Sequence, residues 1–401
     1  MSIVGKVGWA GAIALGLYVA LSSYAISNES RAPARTLALG FPPTGLAGSN
    51  IAVQSLATRR NSNPKTAVNA MERRLALQAY RSEPLSATSV ALLALSLTSN
   101  RQAADRKALL ELAGKLTRRS SLVGSSLIET AALTGDDRTF FRWISRVMLT
   151  NSEVGQVYAT ALADATARKG SVDALVEIVG PNPRWADLYW RLVNGRPASM
   201  ANAAELRIAI SKKPWGQTEI RPSDEGLVQG LVDNRDFDGA RRLANALRPG
   251  ASRAAPLIAN ANFASDPRLA PFDWQLSMQG NLGASIDKDG KALIISAVGG
   301  ARGPAARQLV RLSPGSYELG WKLVSTAPLP DNSVSIQIRC ADPKIDSWAL
   351  PTDLTARTRQ AEVKLPSSDC IWYWFSIDVS VPDDAAGVDA NLSDLSFRAI
   401  R

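Results

Sequence analysis

The residues best placed to do chemistry lie in one short alternating segment near the C-terminus, Ile371–Val379. If its odd-numbered residues face a hydrophobic core, then Trp372, Trp374 and Asp378 share the opposite face, because successive side chains of a strand point to opposite sides of the sheet. Two exposed indoles would form a flat apolar platform, and sugar rings stack on such platforms through their C–H faces. The alternative is that both indoles pack within the protein. The sequence therefore predicts a candidate glycan-binding site at these three residues.

The two cysteines of the chain, Cys340 and Cys370, both lie in its last third. An even pair in an exported domain predicts one disulfide, and two buried free thiols are the alternative. Cys340 would face the core from its own strand. Cys370 is two residues before Trp372, so in a continuous strand the two side chains would point to the same side of the sheet. A disulfide continuous with that strand would turn the tryptophans inward, unless a bulge or turn at 369–370 separates Cys370 from the strand.

Acid–base and metal chemistry has little support in this sequence. There is no histidine among the 401 residues, which removes histidine general bases, Ser-His-Asp and Cys-His arrangements, and histidine metal ligands. Glycoside hydrolysis needs two carboxylates about 5–10 Å apart, and the neighbouring acids, Asp383 with Asp384 and Asp342 with Asp346, lie in loop-like segments. Nucleotide-binding and nucleophile motifs are absent. We therefore expect no catalytic residue, no metal site and no cofactor.

An uncharged N-terminal segment, residues 7–28, is just long enough to cross a bilayer as a helix, which takes roughly 20 apolar residues. We predict one inner-membrane span within 1–29, a linker rich in Pro, Gly and Ser at 30–63, and the bulk of the chain in the periplasm. A cleaved signal peptide with its apolar core at 7–21 is the alternative, and it would leave a soluble periplasmic protein. Either segment takes the rest of the chain out of the cytoplasm.

The positive charge is unevenly distributed along the chain. The formal net charge is +10, yet residues 256–401 hold 14 basic and 16 acidic residues, so the excess lies in 1–255. A basic module could meet nucleic acid, anionic lipid or an acidic polysaccharide, and an Arg-rich helical surface is the alternative. No run of Lys and Arg resembles a nucleic-acid patch, and we expect no nucleic-acid partner.

From residue 64 to about 250, Ala, Leu and Arg recur at helical spacing. Beyond the first three helices, the predicted helices cover 120–133, 138–149, 153–168, 172–179, 184–194, 223–233 and 237–247. Polar turns at 98–101, 134–137 and 168–171 are 34–36 residues apart, the period of a two-helix repeat. Prolines interrupt the regular pattern between 180 and 220. We expect the aromatic residues of this region to pack between helices rather than form a site; they are Trp143, Trp185, Tyr189 and Trp190.

One segment of this region carries a family resemblance. Residues 234–244, Asn-Arg-Asp-Phe-Asp-Gly-Ala-Arg-Arg-Leu-Ala, look like the start of the second helix of a tetratricopeptide repeat. The region resembles that family, although the large aromatic positions of the repeat are mostly missing. The resemblance implies stacked helices whose groove binds proteins of the cell envelope, and a helical spacer without a ligand is the alternative.

After residue 255 the hydrophobic period changes to two, which indicates strands with Gly and Pro turns between them. Alternation is clear at 317–323, 334–340 and 371–379, and we predict further strands at 293–296, 308–312, 362–365 and 395–400. These segments predict an antiparallel β-sandwich over 255–401.

The order of features in 255–401 resembles the carbohydrate-binding-module type of galactose-binding-like jelly roll. The resemblance rests on Leu-Ile-Ala-Asn-Ala-Asn-Phe at 257–263, Pro-Phe-Asp-Trp at 271–274, a strand, Pro-Gly turn and Tyr-x-Leu strand at 308–319, and Asp-Leu-Ser-Phe at 394–397. It implies a domain that binds glycan or, as in many such domains, only holds proteins together.

The sequence as a whole predicts a multidomain chain, α then β: a transmembrane helix, a tetratricopeptide-like solenoid at 64–250 and a jelly-roll sandwich at 255–401. This combination resembles accessory proteins of bacterial surface polysaccharide (exopolysaccharide) assembly and export. It predicts a non-catalytic periplasmic scaffold tethered to the inner membrane, with repeats that bind envelope proteins and a sandwich that binds polysaccharide. The alternatives are a purely protein–protein scaffold and an envelope hydrolase with an unrecognised Asp/Glu site.

Overall fold

The computed structural model describes residues 3–40, 45–63, 65–248, 256–346, 348–356 and 359–400. Contacts divide the chain into two compact units. The first contains Met1–Leu162 and Glu177–Tyr189, and the second contains Ala163–Val176 and Trp190–Arg401. The predicted change from helices to strands falls at 249–255, outside the described residues, as does residue 64, where the helical region is predicted to begin.

Helix α1, Ile3–Asn28, is the predicted apolar segment. Within it, Gly11–Asn28 is long and apolar enough to cross a membrane, and a signal sequence has the same properties. Large apolar side chains such as Trp9 and Ile13 are 67 % and 58 % exposed. The helix therefore buries little of this apolar surface against the described part of the chain.

The next helices alternate with short turns. They are α2 Pro33–Ala38, α3 Gly45–Ser62, α4 Ala70–Ser82, α5 Ala87–Leu95, α6 Ala103–Leu116, α7 Ser121–Thr134 and α8 Asp137–Thr150. The series continues with α9 Gly155–Ala165, α10 Ser171–Val179, α11 Ala186–Val193, α12 Pro197–Ser211, α13 Pro222–Asp233 and α14 Phe237–Leu247. The predicted helices between 120 and 247 match these bounds within three residues, and the four aromatic residues expected to pack between helices are all buried. Regular tetratricopeptide geometry stays a prediction.

Within the predicted linker at 30–63, the sequence suggests a helix only at 54–60, and the structure has a longer one over 45–62. Residues there form helix α3, which packs against α4, and its Ala52 and Leu56 are almost fully buried. Pro and Gly dominate the first part of this segment, but the Ile51–Arg60 stretch contains only helix-compatible residues. Packing against α4 is what stabilises a helix of such weak amphipathic pattern.

Polar turn residues start and end the helices as their chemistry requires. Gly135 ends α7 in the left-handed region, with φ 69°, which costs glycine little. The next residue, Asp136, accepts a hydrogen bond from the backbone N–H of Thr139 at 3.1 Å and so caps α8. Asp236 caps α14 in the same way through the N–H of Gly239, at 2.9 Å.

Helix α12 was not predicted, because the prolines between 180 and 220 suggested an irregular segment. In the structure Pro197 occupies the first turn of α12, where its missing N–H is not needed, and Pro214 follows the helix end. Arg207 on this helix is fully buried and donates to both carboxylate oxygens of Asp224, at 2.7 and 2.9 Å. It also donates to the carbonyl oxygens of Gln217 and Glu219. This one side chain therefore connects α12, the 212–221 loop and α13.

The C-terminal part of the second unit consists of two antiparallel sheets. The strands are β1 Gln275–Leu276, β2 Met278–Gln279, β3 Leu282–Asp287, β4 Ala292–Ala297, β5 Arg302–Arg311, β6 Gly315–Ser325, β7 Val334–Cys340, β8 Trp348–Asp353, β9 Gln360–Leu365, β10 Trp372–Ser380 and β11 Val388–Ala399. One sheet has the order β1-β5-β10-β7-β8 and the other β2-β3-β4-β11-β6-β9. All predicted strands are present; β3, β8 and the two short strands were not predicted.

A single hydrophobic core draws on both sheets. Phe375 of β10 lies 5.4 Å from Phe397 of β11, centroid to centroid, and Phe397 stacks on Tyr317 of β6 at 4.9 Å. The polar atoms of the large core residues are satisfied: Trp321 Nε1 donates to the carbonyl of Leu354 at 3.1 Å, and the Tyr317 hydroxyl donates to the carbonyl of Ser313 at 2.6 Å. The core thus buries large rings without leaving these donors unpaired.

The buried ion pair gives the first testable prediction. Replacing Arg207 by Ala leaves the Asp224 carboxylate buried without its partner, and we expect the free energy of unfolding to fall by about 3–5 kcal/mol. The matched control is Arg242→Ala, which removes the exposed pair with Glu205 at 2.9 Å and should cost less than about 1 kcal/mol. Urea unfolding followed by far-UV circular dichroism measures both. Equal losses in the two variants would contradict the prediction.

Candidate functional site

Strand β10 presents different residues to its two sides. Tyr373, Phe375 and Ile377 belong to the hydrophobic core, so Trp372, Trp374 and Asp378 point to the opposite side of the sheet, as predicted. The predicted exposure of the tryptophan pair is nevertheless wrong for Trp372, which is 4 % exposed. Trp374 and Asp378 are half-buried.

The cover over Trp372 comes from the same unit. The ring centroid of Phe237, the first residue of α14, lies 6.2 Å from that of Trp372. The ring centroid of Phe272 lies 5.9 Å from that of Trp372, and these two rings pack edge to face. Arg241 of α14 places its guanidinium 5.4 Å from the Phe272 centroid. Arg248 holds the same segment through the Phe272 carbonyl, at 3.2 Å. Helix α14 and the 268–274 segment therefore close one end of the sheet face.

The predicted disulfide between Cys340 and Cys370 is present. Cys370 is buried and precedes the first residue of β10, so strand alternation does not fix its direction. Tyr373, and not Trp372, lies opposite Cys340 in the register of β7 and β10. This irregular start of β10 is what allows a disulfide and outward-pointing tryptophans to coexist.

Beyond the cover, the five-stranded sheet presents what we call the outer face. Its side chains form three cross-strand rows, because residues paired in register point the same way. The first row is Trp348, Arg339, Trp374 and Leu309; the second is Gln337, Ser376, Arg307 and Gln275; the third is Asp353, Ser335, Asp378 and Pro304. Aromatic residues thus concentrate in the first row and carboxylates in the third.

Two indoles flank a guanidinium in the first row. Trp348 on the edge strand β8 is 46 % exposed, and Trp374 lies two strands away, which corresponds to a backbone separation of about 10 Å. Arg339 lies between them and is exposed. Trp374 is covered in part by Arg307, whose guanidinium lies 4.4 Å from the ring centroid. Arg307 is in turn held by Gln275, whose side-chain oxygen accepts from Nε at 2.8 Å.

Asp378 is the unusual titratable group of the outer face. Burial raises its pKa above the ordinary value, and a hydrogen bond from Ser376 and the charges of Arg339 and Arg307 offset this only in part. Its Oδ1 atom is buried and has no hydrogen-bond partner among the described residues. A buried carboxylate oxygen without a donor is costly, and a hydroxyl group of a bound molecule would satisfy it.

Arg307 shows the complementary effect. Burial lowers the pKa of its guanidinium, and the charges of Asp233 and Asp378 counteract this. The two half-buried groups therefore stabilise each other's charge in a part of the face with limited access to water. Together with the amide of Gln337 and the hydroxyl of Ser376, they supply hydrogen-bond donors and acceptors beside an aromatic surface.

This combination suits a ligand with both apolar and hydroxylated surfaces. An aromatic ring beside fixed polar groups is the usual composition of a small-molecule site. Within the described residues, no group of three or more carboxylate or thiol side chains is arranged to hold a metal ion. The polar groups of the outer face all belong to one sheet.

Sequence reasoning found Trp374 and Asp378 but missed Trp348, Arg339 and Arg307. Arg339 could have been found, since it alternates with buried Ile338 and Ile336 in a strand that was predicted. Trp348 gave no signal, because β8 follows an irregular loop and lacks alternation. Arg307 lies at the edge of a predicted strand, but its place over Trp374 depends on which strands are neighbours in the sheet.

The sequence matches no protein-family model and no curated protein. Two solved structures are similar to part of the chain. One is the arabinose-bound α-L-arabinofuranosidase MgGH51, with 12 % identity, a TM-score of 0.27, and 36 % of this chain aligned to 26 % of that one. The other is a CBM4 structure, with 15 % identity, a TM-score of 0.23, and 32 % of this chain aligned to 94 % of that one. This chain therefore spans about a quarter of the arabinofuranosidase, and TM-scores this low decide neither fold nor function.

The raised pKa of Asp378 gives a prediction for stability. Because the folded state favours the protonated carboxyl, the ionised form destabilises the fold, and this penalty disappears as pH falls through the folded pKa toward the unfolded value. We expect Asp378→Asn to raise the urea midpoint at pH 7 and the gain to shrink on approach to pH 4, close to the unfolded pKa of about 3.9.

The control is Asp389→Asn, an exposed position of β11 whose carboxylate accepts from Ser296. We expect the urea midpoint of this variant to equal that of the wild type at pH 7 and at pH 4. If the wild type is at least as stable as Asp378→Asn at pH 7, then the ionised Asp378 carboxylate does not destabilise the folded state.

Proposed function

We propose that this chain is a non-catalytic scaffold of the bacterial cell envelope, anchored in the inner membrane by α1, whose C-terminal domain binds polysaccharide through the outer face. In this proposal the two sheets are the layers of a jelly-roll sandwich, and the helices form a tetratricopeptide-like solenoid that binds envelope proteins. The role would be that of an accessory to surface polysaccharide assembly or export. The single observation that carries the glycan-binding part is the first row of the outer face, where exposed Trp348 and half-buried Trp374 flank an arginine.

Sugars fit this face for a physical reason. The C–H faces of pyranose rings stack on indoles, and their hydroxyl groups need partners at the ring edge. Trp348 and Trp374 supply the stacking surfaces, whereas Gln337 and Ser376 supply hydrogen bonds one row away. The unpartnered oxygen of Asp378 is an acceptor for a hydroxyl.

Location outside the cytoplasm has two independent supports. Helix α1 has the length and apolarity of a membrane span or a signal sequence. The disulfide Cys340–Cys370 closes a loop between β7 and β10, and structural disulfides persist mainly in oxidising compartments. A periplasmic position follows from both if the cell is bacterial with two membranes.

A hydrolase is the second candidate, because a half-buried carboxyl with a raised pKa is what a general acid requires. Asp378 has this property, and Asp353 lies in the same row, two strands away. However, the Asp353 carboxylate already accepts hydrogen bonds from the backbone N–H and hydroxyl of Thr355, at 2.9 and 2.6 Å. That engagement makes it a poor base for activating water, and the binding role is favoured.

The binding role predicts that the two indoles are needed. We expect Trp348→Ala and Trp374→Ala each to weaken binding of the source cell's surface polysaccharide by roughly two- to tenfold, as loss of one aromatic contact implies. The control is Val324→Ala, which removes an exposed apolar residue from the six-stranded sheet. Affinity electrophoresis of the full chain provides the dissociation constants. Trp372→Ala is unsuitable, because this residue is buried and its loss would destabilise the fold.

Two results of that experiment would redirect the proposal. If no polysaccharide binds and co-purified envelope proteins depend only on the helices, then the chain is a protein–protein scaffold. If reducing ends accumulate during incubation and disappear in Asp378→Asn, then the chain is a hydrolase.

The location predicts a fractionation and labelling result. We expect the full chain to remain with membranes after carbonate extraction, and its two cysteines to react with a maleimide in denatured cells only after reduction. A shortened, soluble periplasmic chain would identify α1 as a cleaved signal. Thiols that react without reduction would contradict export altogether.

A further inference from the structure

Arg339 forms no ion pair within the part of the chain that the structure describes, and its charge acts on Asp378. It lies in register between Trp348 and Trp374, with each neighbour one strand, or about 4.8 Å of backbone, away. The side chain is exposed. Its N–H donors are therefore accessible to a ligand that stacks on either indole.

The outer face is polarised along its strands. Arg339 lies in the first row and Arg311, opposite Trp372, lies in the row beside it; both are exposed. Asp378 and Asp353 lie in the third row, at the other end. The end of the face that holds the tryptophans therefore also holds the arginines. The opposite end holds the carboxylates, which can accept hydrogen bonds from hydroxyl groups.

The second arginine of the face does not compete for this role. Arg307 is half-buried over Trp374, bonded to Gln275, and near the charges of Asp233 and Asp378. Its Nε donor is already used by Gln275, whereas the charge of Asp378 acts on both arginines. Arg339 is the guanidinium whose donors face solvent beside the stacking surfaces.

We propose that the outer face selects polysaccharides that carry carboxylate groups, and that Arg339 binds the carboxylate of a sugar stacked on Trp348 or Trp374. The inference rests on the glycan-binding function proposed above and names its ligand class. A guanidinium binds a carboxylate through two parallel N–H···O bonds, and the hydroxyl groups of the same glycan reach the acceptors of the second and third rows. Neutral glycans would stack on the indoles but leave Arg339 without a partner.

The test compares polymers that differ only in charge. The full chain, held in a polyoxyethylene detergent without a sugar headgroup, is titrated with polygalacturonate, alginate and the source cell's surface polysaccharide. Each polymer is also used after its carboxylates have been reduced to alcohols. For at least one of the three, we expect the carboxylated form to bind at least about tenfold more tightly, and the difference to diminish as salt rises.

Substitutions at Arg339 assign that preference to one residue. Arg339→Gln should reduce the preference to within about twofold, because it removes the guanidinium and keeps both stacking surfaces. Arg339→Lys keeps the charge without the planar fork and should restore only part of it. The control is Arg398→Gln, which removes one exposed charge from β11 of the other sheet and should leave the preference intact.

The outcomes separate this inference from the function on which it rests. If carboxylated and reduced polymers bind equally, or if Arg339→Gln retains the preference, then the inference is wrong although glycan binding stands. If none of the polymers binds in either form, then both the inference and the glycan-binding function fail. Unchanged circular dichroism spectra of the variants show that any loss of binding is not a loss of fold.

Discussion

Strand β10 has to satisfy two environments at once, because its successive side chains point to opposite faces of the sheet. One side contributes Tyr373, Phe375 and Ile377 to the core that both sheets share. The other side changes along its length: Phe237 and Phe272 cover Trp372 at the start of the strand, whereas Trp374 and Asp378 are left half-buried. The candidate site lies where Trp374 and Asp378 are left half-buried, beyond Trp372 and the buried Leu309. A longer cover would turn the outer face into a second core, and a shorter one would expose a much larger aromatic surface.

The cover itself depends on helices that precede the sheets in the chain. Phe237 and Arg241 both belong to α14, and α14 is positioned by α12 and α13, which pack against it. The buried Arg207–Asp224 pair connects α12 to α13. Removing either charge would leave the other unpaired in the interior. Helices α12–α14 belong to the same compact unit as the sheets.

Half-burial also decides the electrostatics of the outer face. Desolvation raises the pKa of Asp378 and lowers that of Arg307, and each group's charge opposes the effect on the other. Arg339 acts on Asp378 as well, but its side chain is exposed and lies in register next to the exposed Trp348. The face therefore has arginines at its aromatic end and carboxylates at its other end, a distribution suited to a ligand with hydroxyl groups and a negative charge.

The sequence by itself determined the local elements. Helical periodicity and capping residues such as Asp136 and Asp236 set the helix bounds, and strict alternation set the strands from 317 to 379, because these patterns depend on residues close in the chain. It also indicated the disulfide and the direction of Trp374 and Asp378. For helix α3 the sequence indicated only the 54–60 stretch, and the structure extends the helix over 45–62, where it packs against α4. Helix α12 was not predicted. Pro197 and Pro214 lie at its two ends, but from the sequence alone they indicated an irregular segment.

Only the tertiary structure decided which outward residues form a site. Trp348, Arg339 and Trp374 are 35 residues or fewer apart in the chain, yet their order in one row follows from strand pairing, which local pattern does not specify. The burial of Trp372 required Phe237, more than a hundred residues away. Alternation tells which face a side chain takes, but the neighbouring strands and the helices packed above them decide whether that face is core, cover or open surface.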